Sequence, residues 1–279
     1  MYRTHNISLK IKLAILIIVS LFHSTTAMAW GPADRPTYTM EQPADHAVFN
    51  SIKNNSWLGD ERDFVKIVEK GVDGTYSSKI ELEPNKEYDV YIYYHNNASA
   101  TFNDEEHNYA GVATDTRLAS SFSSKLTKGE EGFVSGVISW TSLADRDNVQ
   151  EVWDEAWVTA SEDMTLHYVT GSAKIYNSGK TNGNVLSTDL FSEQGIYIGY
   201  DDLNGILMGC DEYSGHVNFT IQTQGNDTKH ISFISIPGII LIVVLLLIIA
   251  AVIILCWKQK RNRKIAVSKE QGKENKTNI

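Results

Sequence analysis

Cysteine is almost missing from this chain of 279 residues, which carries two, Cys210 and Cys256. Cys256 falls inside a long apolar run and Cys210 does not, so the two cannot pair within one chain. Without a disulfide, any outer domain must be held by its hydrophobic core. Catalytic signatures are missing as well: no G-x-S-x-G, H-E-x-x-H, P-loop or G-x-G-x-x-G occurs. The nearest approach, Gly132-Phe133-Val134-Ser135-Gly136, has its serine one place late. No long amphipathic helical pattern and no repeat of fixed period is found, which argues against helical bundles and solenoids.

Charge is absent where a membrane would exclude it. Residues 1–29 hold no acid; Arg3, Lys10 and Lys12 precede the apolar stretch Leu13 to Phe22, and Ala27-Met28-Ala29 follows. That order is a secretory signal peptide, with cleavage expected after Ala29. No charged residue occurs from Ile231 to Trp257. The apolar run from Ile239, lengthened to begin at 236, is long enough as a helix to cross a hydrocarbon core of about 30 Å. Trp257 suits the interface, and KQKRNRK at 258–264 is the positive flank that stays in the cytoplasm. The expectation is a single-pass type I protein of the cell membrane, with its N-terminal domain outside and its C-terminus in the cytoplasm. Residues 1–29 form the signal peptide, 30–224 the ectodomain, 225–235 a juxtamembrane linker, 236–257 the transmembrane helix in the lipid bilayer, and 258–279 a basic tail.

What the outer part has in excess is negative charge. Residues 30–235 carry 32 Asp and Glu against 14 Lys and Arg. This excludes nucleic acid as a partner and disfavours lying on an anionic membrane. Asn-x-Ser/Thr triplets begin at Asn54, Asn97, Asn218 and Asn226, and matter only in a host that glycosylates.

Period-two alternation recurs along the outer part. Strands are expected around 78–82, 87–95, 112–118, 133–140, 152–159, 166–169, 173–176, 196–200 and 216–223, with turn chemistry such as Glu83-Pro84-Asn85 and Lys128-Gly129-Glu130 between them. The stretch 60–70 reads equally as a short helix or a strand. Short strands without alternating helices predict an all-β ectodomain, an antiparallel β-sandwich of Ig-like or jelly-roll type.

Two strands carry candidate contact residues. In EYDVYIYYHNNAS (87–99), Tyr88, Val90, Ile92 and Tyr94 share one face, a core face. Asp89, Tyr91, Tyr93 and His95 share the other. Either that second face is covered and stabilises the sheet, or Tyr91, Tyr93 and His95 form an aromatic binding surface. A similar row is Trp153, Glu155 and Trp157, with Asp154 on the opposite face, so the adjacent carboxylates of 154 and 155 cannot act on one substrate. Oxygen-rich loops offer a hard cation, Ca²⁺, two candidate sites: Asp104, Glu105 and Glu106, and Asp201, Asp202 and Asn204. Neither follows the EF-hand pattern, and solvated acidic loops explain them as well.

ADHAVFNSI (44–52), GDERDFV (59–65), YDVYIYYHNNAS (88–99) and GVATDTRLASSF (111–122) are joined by EVWDEAWVTA (151–160), IGYDDLNG (198–205) and GCDEYSGHVNFTIQ (209–222). Together these stretches resemble an uncharacterised β-rich extracellular domain of surface proteins in reduced-genome, host-dependent bacteria of the candidate phyla. The resemblance spans about 31–224. It implies surface display behind a signal peptide, commonly with a membrane anchor, and no activity or ligand. A non-catalytic ectodomain for adhesion to a protein or glycan on a neighbouring cell is the expected function. The alternatives are a self-associating envelope component and an extracellular hydrolase.

Overall fold

The computed structural model describes residues 30–225 together with Ile254. The signal peptide 1–29, nearly all of the 225–235 linker, the 236–257 span (Ile254 apart) and the tail 258–279 lie outside the described residues. Among the described residues, no helix is long and apolar enough to cross a membrane.

The fold is all-β. Eleven strands run in chain order: β1 (Val65–Glu69), β2 (Lys79–Leu82), β3 (Glu87–Tyr94), β4 (Ala113–Phe122), β5 (Lys125–Leu126) and β6 (Glu131–Ser142), then β7 (Asp145–Ala160), β8 (Met164–Tyr168), β9 (Lys174–Asn177), β10 (Ile196–Tyr197) and β11 (Gly215–Gly225). One sheet has the order β1-β3-β11-β8-β5, with β9 also pairing β11; the other has the order β10-β4-β6-β7-β2. The ambiguous stretch 60–70 resolves as strand β1, because Val65 and Ile67 alternate into the core.

Among the eleven strands, pairing is antiparallel except that β2 runs parallel to β7. This departs from the wholly antiparallel arrangement expected. The chain leaves β1 in one sheet to form β2 at the edge of the other, and a strand arriving by such a crossing is not bound to hairpin direction. The longest pairing is the β6–β7 hairpin, whose register sets Val137 opposite Trp153 and Phe133 opposite Trp157.

The core lies between the sheets. Tyr88, Val90, Ile92 and Tyr94 of β3 are buried beside Val217, Phe219 and Ile221 of β11, as alternation predicts. Facing them from β6 are Val134, Ile138 and Trp140, whose indole N–H donates to the Ala47 carbonyl at 3.2 Å. Gly136 of β6 packs directly on the other sheet: a Cβ there would lie 3.0 Å from methyl groups of both Ile92 and Val65.

Candidate recognition surface

The Tyr91, Tyr93, His95 row is divided by what covers it. Tyr91 is half-buried on the outer face of β3, in a line of rings that crosses the sheet. Tyr76 meets Tyr91 at 5.5 Å between centroids, Tyr91 stacks on His216 at 4.5 Å, and His216 stacks on Tyr176 at 5.1 Å. Burial pushes the Tyr91 hydroxyl up to about 12 and the His216 imidazole down to about 4, so these two stacked rings are neutral at physiological pH. Tyr93 and His95 point to the same side, but they are only 7% and 2% exposed. Of the two alternatives for this face, the covered one holds for Tyr93 and His95, which lie under other chain segments, while Tyr91 is left half-buried.

The cover is polar and closely bonded. Glu61 is fully buried, and its carboxylate accepts from Asn55 Nδ2 at 2.6 Å and Asn97 Nδ2 at 2.7 Å, and pairs with His95 Nδ1 at 2.9 Å. Asn50 joins the same layer, donating to the Tyr93 carbonyl and accepting from the His95 amide. Buried polar groups are stable when each finds a partner, and this layer ties the 48–62 segment to the end of β3. Asn97, expected as a glycosylation acceptor in a suitable host, is consumed by it, whereas Asn54 is exposed.

Above that layer the chain makes a tight turn. Asn55 and Gly59 exchange both main-chain hydrogen bonds at 2.8 Å, and Gly59 holds φ at 75°, a conformation that favours glycine. The Asn55 side chain works in both directions: Nδ2 reaches Glu61, while Oδ1 accepts from the Trp57 amide at 2.9 Å. At the tip stands Trp57, 95% exposed. Sequence reasoning did not single it out, because no periodicity marks a loop residue; its signal is a tryptophan set between the turn formers Asn55 and Gly59.

On the second sheet, Trp153, Glu155 and Trp157 share the outer face of β7, with Trp153 37% exposed and the other two half-buried. Gly31 lies against the Trp153 ring, where any Cβ would collide with it. Burial raises the Glu155 carboxyl above its ordinary value. Asp154 points inward and is fully buried, so the two neighbouring carboxylates do point apart. Burial pushes Asp154 up to about 7, although its Oδ2 accepts from the Val65 amide at 2.7 Å.

The acidic loops satisfy themselves. Asp104 Oδ1 accepts from the His107 amide and pairs with His107 Nδ1 at 2.8 Å. Glu105 and Glu106, next to Asp104 in the chain, are exposed, and in the other loop Asp202 and Asn204 each accept from a nearby main-chain amide. Asp201 lies 3.9 Å from Lys180. Among the described residues, no three His, Cys, Asp or Glu side chains converge as a cation site requires.

Comparison with protein families, with curated proteins and with solved structures finds no match to this chain.

Proposed function

We propose that this is a single-pass surface protein whose β-sandwich ectodomain recognises a partner on a neighbouring surface, with Trp57 as the anchor residue. The observation that carries this reading is the exposure of Trp57 on a turn closed by two main-chain hydrogen bonds and braced from below by Asn55 and Glu61. Leaving so large an apolar ring in water costs solubility and gains nothing within the fold. A rigid tryptophan loses little entropy when a pocket closes on it, which is why tryptophan dominates binding hot spots. Trp153, beside Glu155 and Trp157, is a second, flatter contact.

Self-association through strand edges finds less support. β5 and β10 are two residues each, β2 is four, and the remaining edge strand, β1, is five with Ile67 already bonded to Ser77, so each edge is too short to template another sheet well. For a hydrolase, the inward Asp154 and outward Glu155 offer no shared cleft.

The test places the full chain on cells at matched surface density and measures capture of partner cells. Trp57→Ser is expected to cost about 2 kcal/mol or more, a loss of about thirtyfold in binding, with the melting temperature unchanged. Trp153→Ser should cost less. Capture by Trp57→Ser equal to wild type would sink the reading.

A further inference from the structure

Five of the large apolar side chains left exposed, Met40, Trp57, Tyr109, Ile206 and Met208, belong to three chain segments, 37–62, 95–112 and 199–214. The strand register brings these segments to one end of the sandwich. Val65 of β1 pairs with Ile92, Gly215 of β11 with Tyr94, and Ala113 of β4 with Ser142 of β6. The segments before β1, between β3 and β4 and before β11 therefore converge there. They are bonded to one another and to β3. Asn55 donates to the Tyr93 hydroxyl at 3.4 Å, Asn103 Nδ2 to the Gly209 carbonyl at 2.7 Å, and the Cys210 amide to the Asn96 carbonyl. Met40 lines a depression of about 300 Å³ with Cys210 and Asp211, while Ile206 and Met208 line another, of about 160 Å³, with Tyr200 and Tyr213. The 208–213 turn borders both. The chain leaves the domain at the other end, at Gly225, about 35 Å away along β11.

We propose that this apolar end docks a protein partner whose contacting surface is basic and carries apolar side chains. The inference rests on the reading of Trp57 as an anchor and gives the partner its chemistry. Charge is distributed unevenly between the two ends. The three segments hold eleven Asp and Glu against two Lys and Arg, whereas 70–78, 83–86, 123–130 and 161–163 at the opposite end hold five against four. Nine of the eleven acids are exposed, and of the two bases Arg62 is spent on Asp60, Nε to Oδ1 at 2.9 Å. Apolar surface set in a field of one sign selects and steers a partner of the other sign. Lys and Arg suit it doubly. Their stems can cover Ile206 and Met208 while their charged heads reach Asp202 in the same depression; Asp201 beside it already faces Lys180 at 3.9 Å. An acidic glycan would be repelled. A bilayer fits less well, because surfaces that enter the headgroup region carry Lys and Arg around their apolar residues. Here Met40 is followed by Glu41, and Ile206 and Met208 share their depression with Asp201 and Asp202.

The test uses the full chain in phosphatidylcholine nanodiscs, with empty nanodiscs as the reference. The probe is a fluorescein-labelled basic octapeptide, KRWKRLKR, and the control is the same peptide with Glu at every Lys and Arg. Fluorescence anisotropy should show saturable binding of the basic peptide, about tenfold or more tighter than the acidic one, and weakening as salt rises. Phosphatidylcholine vesicles should not associate. The double change Ile206→Ser/Met208→Ser and the double change Asp202→Asn/Glu212→Gln should each weaken binding about fivefold or more. Glu130→Gln/Glu162→Gln, at the opposite end, should leave it unchanged. The proposal is overturned if the basic peptide does not bind, if the acidic peptide or the vesicles bind as well, or if Ile206→Ser/Met208→Ser binds like wild type. It is also overturned if the Glu130/Glu162 change costs as much as the Asp202/Glu212 change. Cell capture lost in Trp57→Ser without basic-peptide binding would sink this inference alone. Peptide binding at this end with capture intact in Trp57→Ser would sink the anchor reading alone.

Discussion

Individual buried residues set how stability responds to pH. Asp154 is pushed up to about 7 from an ordinary value near 3.8, so the folded chain holds its proton where the unfolded chain has lost it. Its ionisation therefore costs nothing at pH 3, grows as pH rises from about 4 to 7, and is complete above that. Asp154→Asn keeps an oxygen for the Val65 amide and removes the charge. It should raise stability at pH 8 by up to about 4 kcal/mol, with the gain gone by pH 4. Denaturant melts across that range check it. His216 acts with the opposite sign. Its pKa of about 4 lies below the ordinary 6.5, so its contribution is present above 6.5 and lost as pH falls through 4. His216→Phe, which keeps the stacking ring, should flatten the acid limb of the same melts. Glu61 is the costliest to remove: Glu61→Ala strands the Asn55, Asn97 and His95 donors and should cost about 3 to 5 kcal/mol in unfolding free energy.

At the level of elements, the core faces of β3, β6, β7 and β11 were legible as alternation, because a half-buried strand writes its burial every second residue. What escaped was pairing that side chains do not report. The polar stretch 145–151 continues β7 with nearly every residue exposed: Asp145, Gln150 and Glu151 pair with β6 through the backbone, on either side of a register shift at 146–149. Two-residue strands such as β5 and β10 exist because a distant partner is there to receive them. For the candidate site, alternation placed Tyr91, Tyr93 and His95 on one side correctly. It could not show that the segments around residues 48–62 and 209–214 fold over two of them, since that cover comes from remote sequence. The contact between the sheets is itself testable. Gly136→Ala puts a methyl 3.0 Å from Ile92 and Val65, both fully buried and branched, and should lower stability by about 1 to 3 kcal/mol by calorimetry.

For the whole molecule, the parts read as one device: an acidic all-β domain, a signal peptide and membrane span expected from the sequence, and a rigid loop that holds a tryptophan away from the core. The Glu61 layer links the loop to the sheet, so binding force at Trp57 would pass through Asn55 and Glu61 into β3 rather than bending a free loop. The most direct measurement is the single-cell detachment force between partner cells and cells displaying the full chain at equal density. It would be recorded for wild type, Trp57→Phe and Trp57→Ser. The account predicts that Phe retains most of the force and Ser almost none, with all three melting together. Equal force for Trp57→Ser and wild type would contradict it, and recognition would then have to be sought on the Trp153 face.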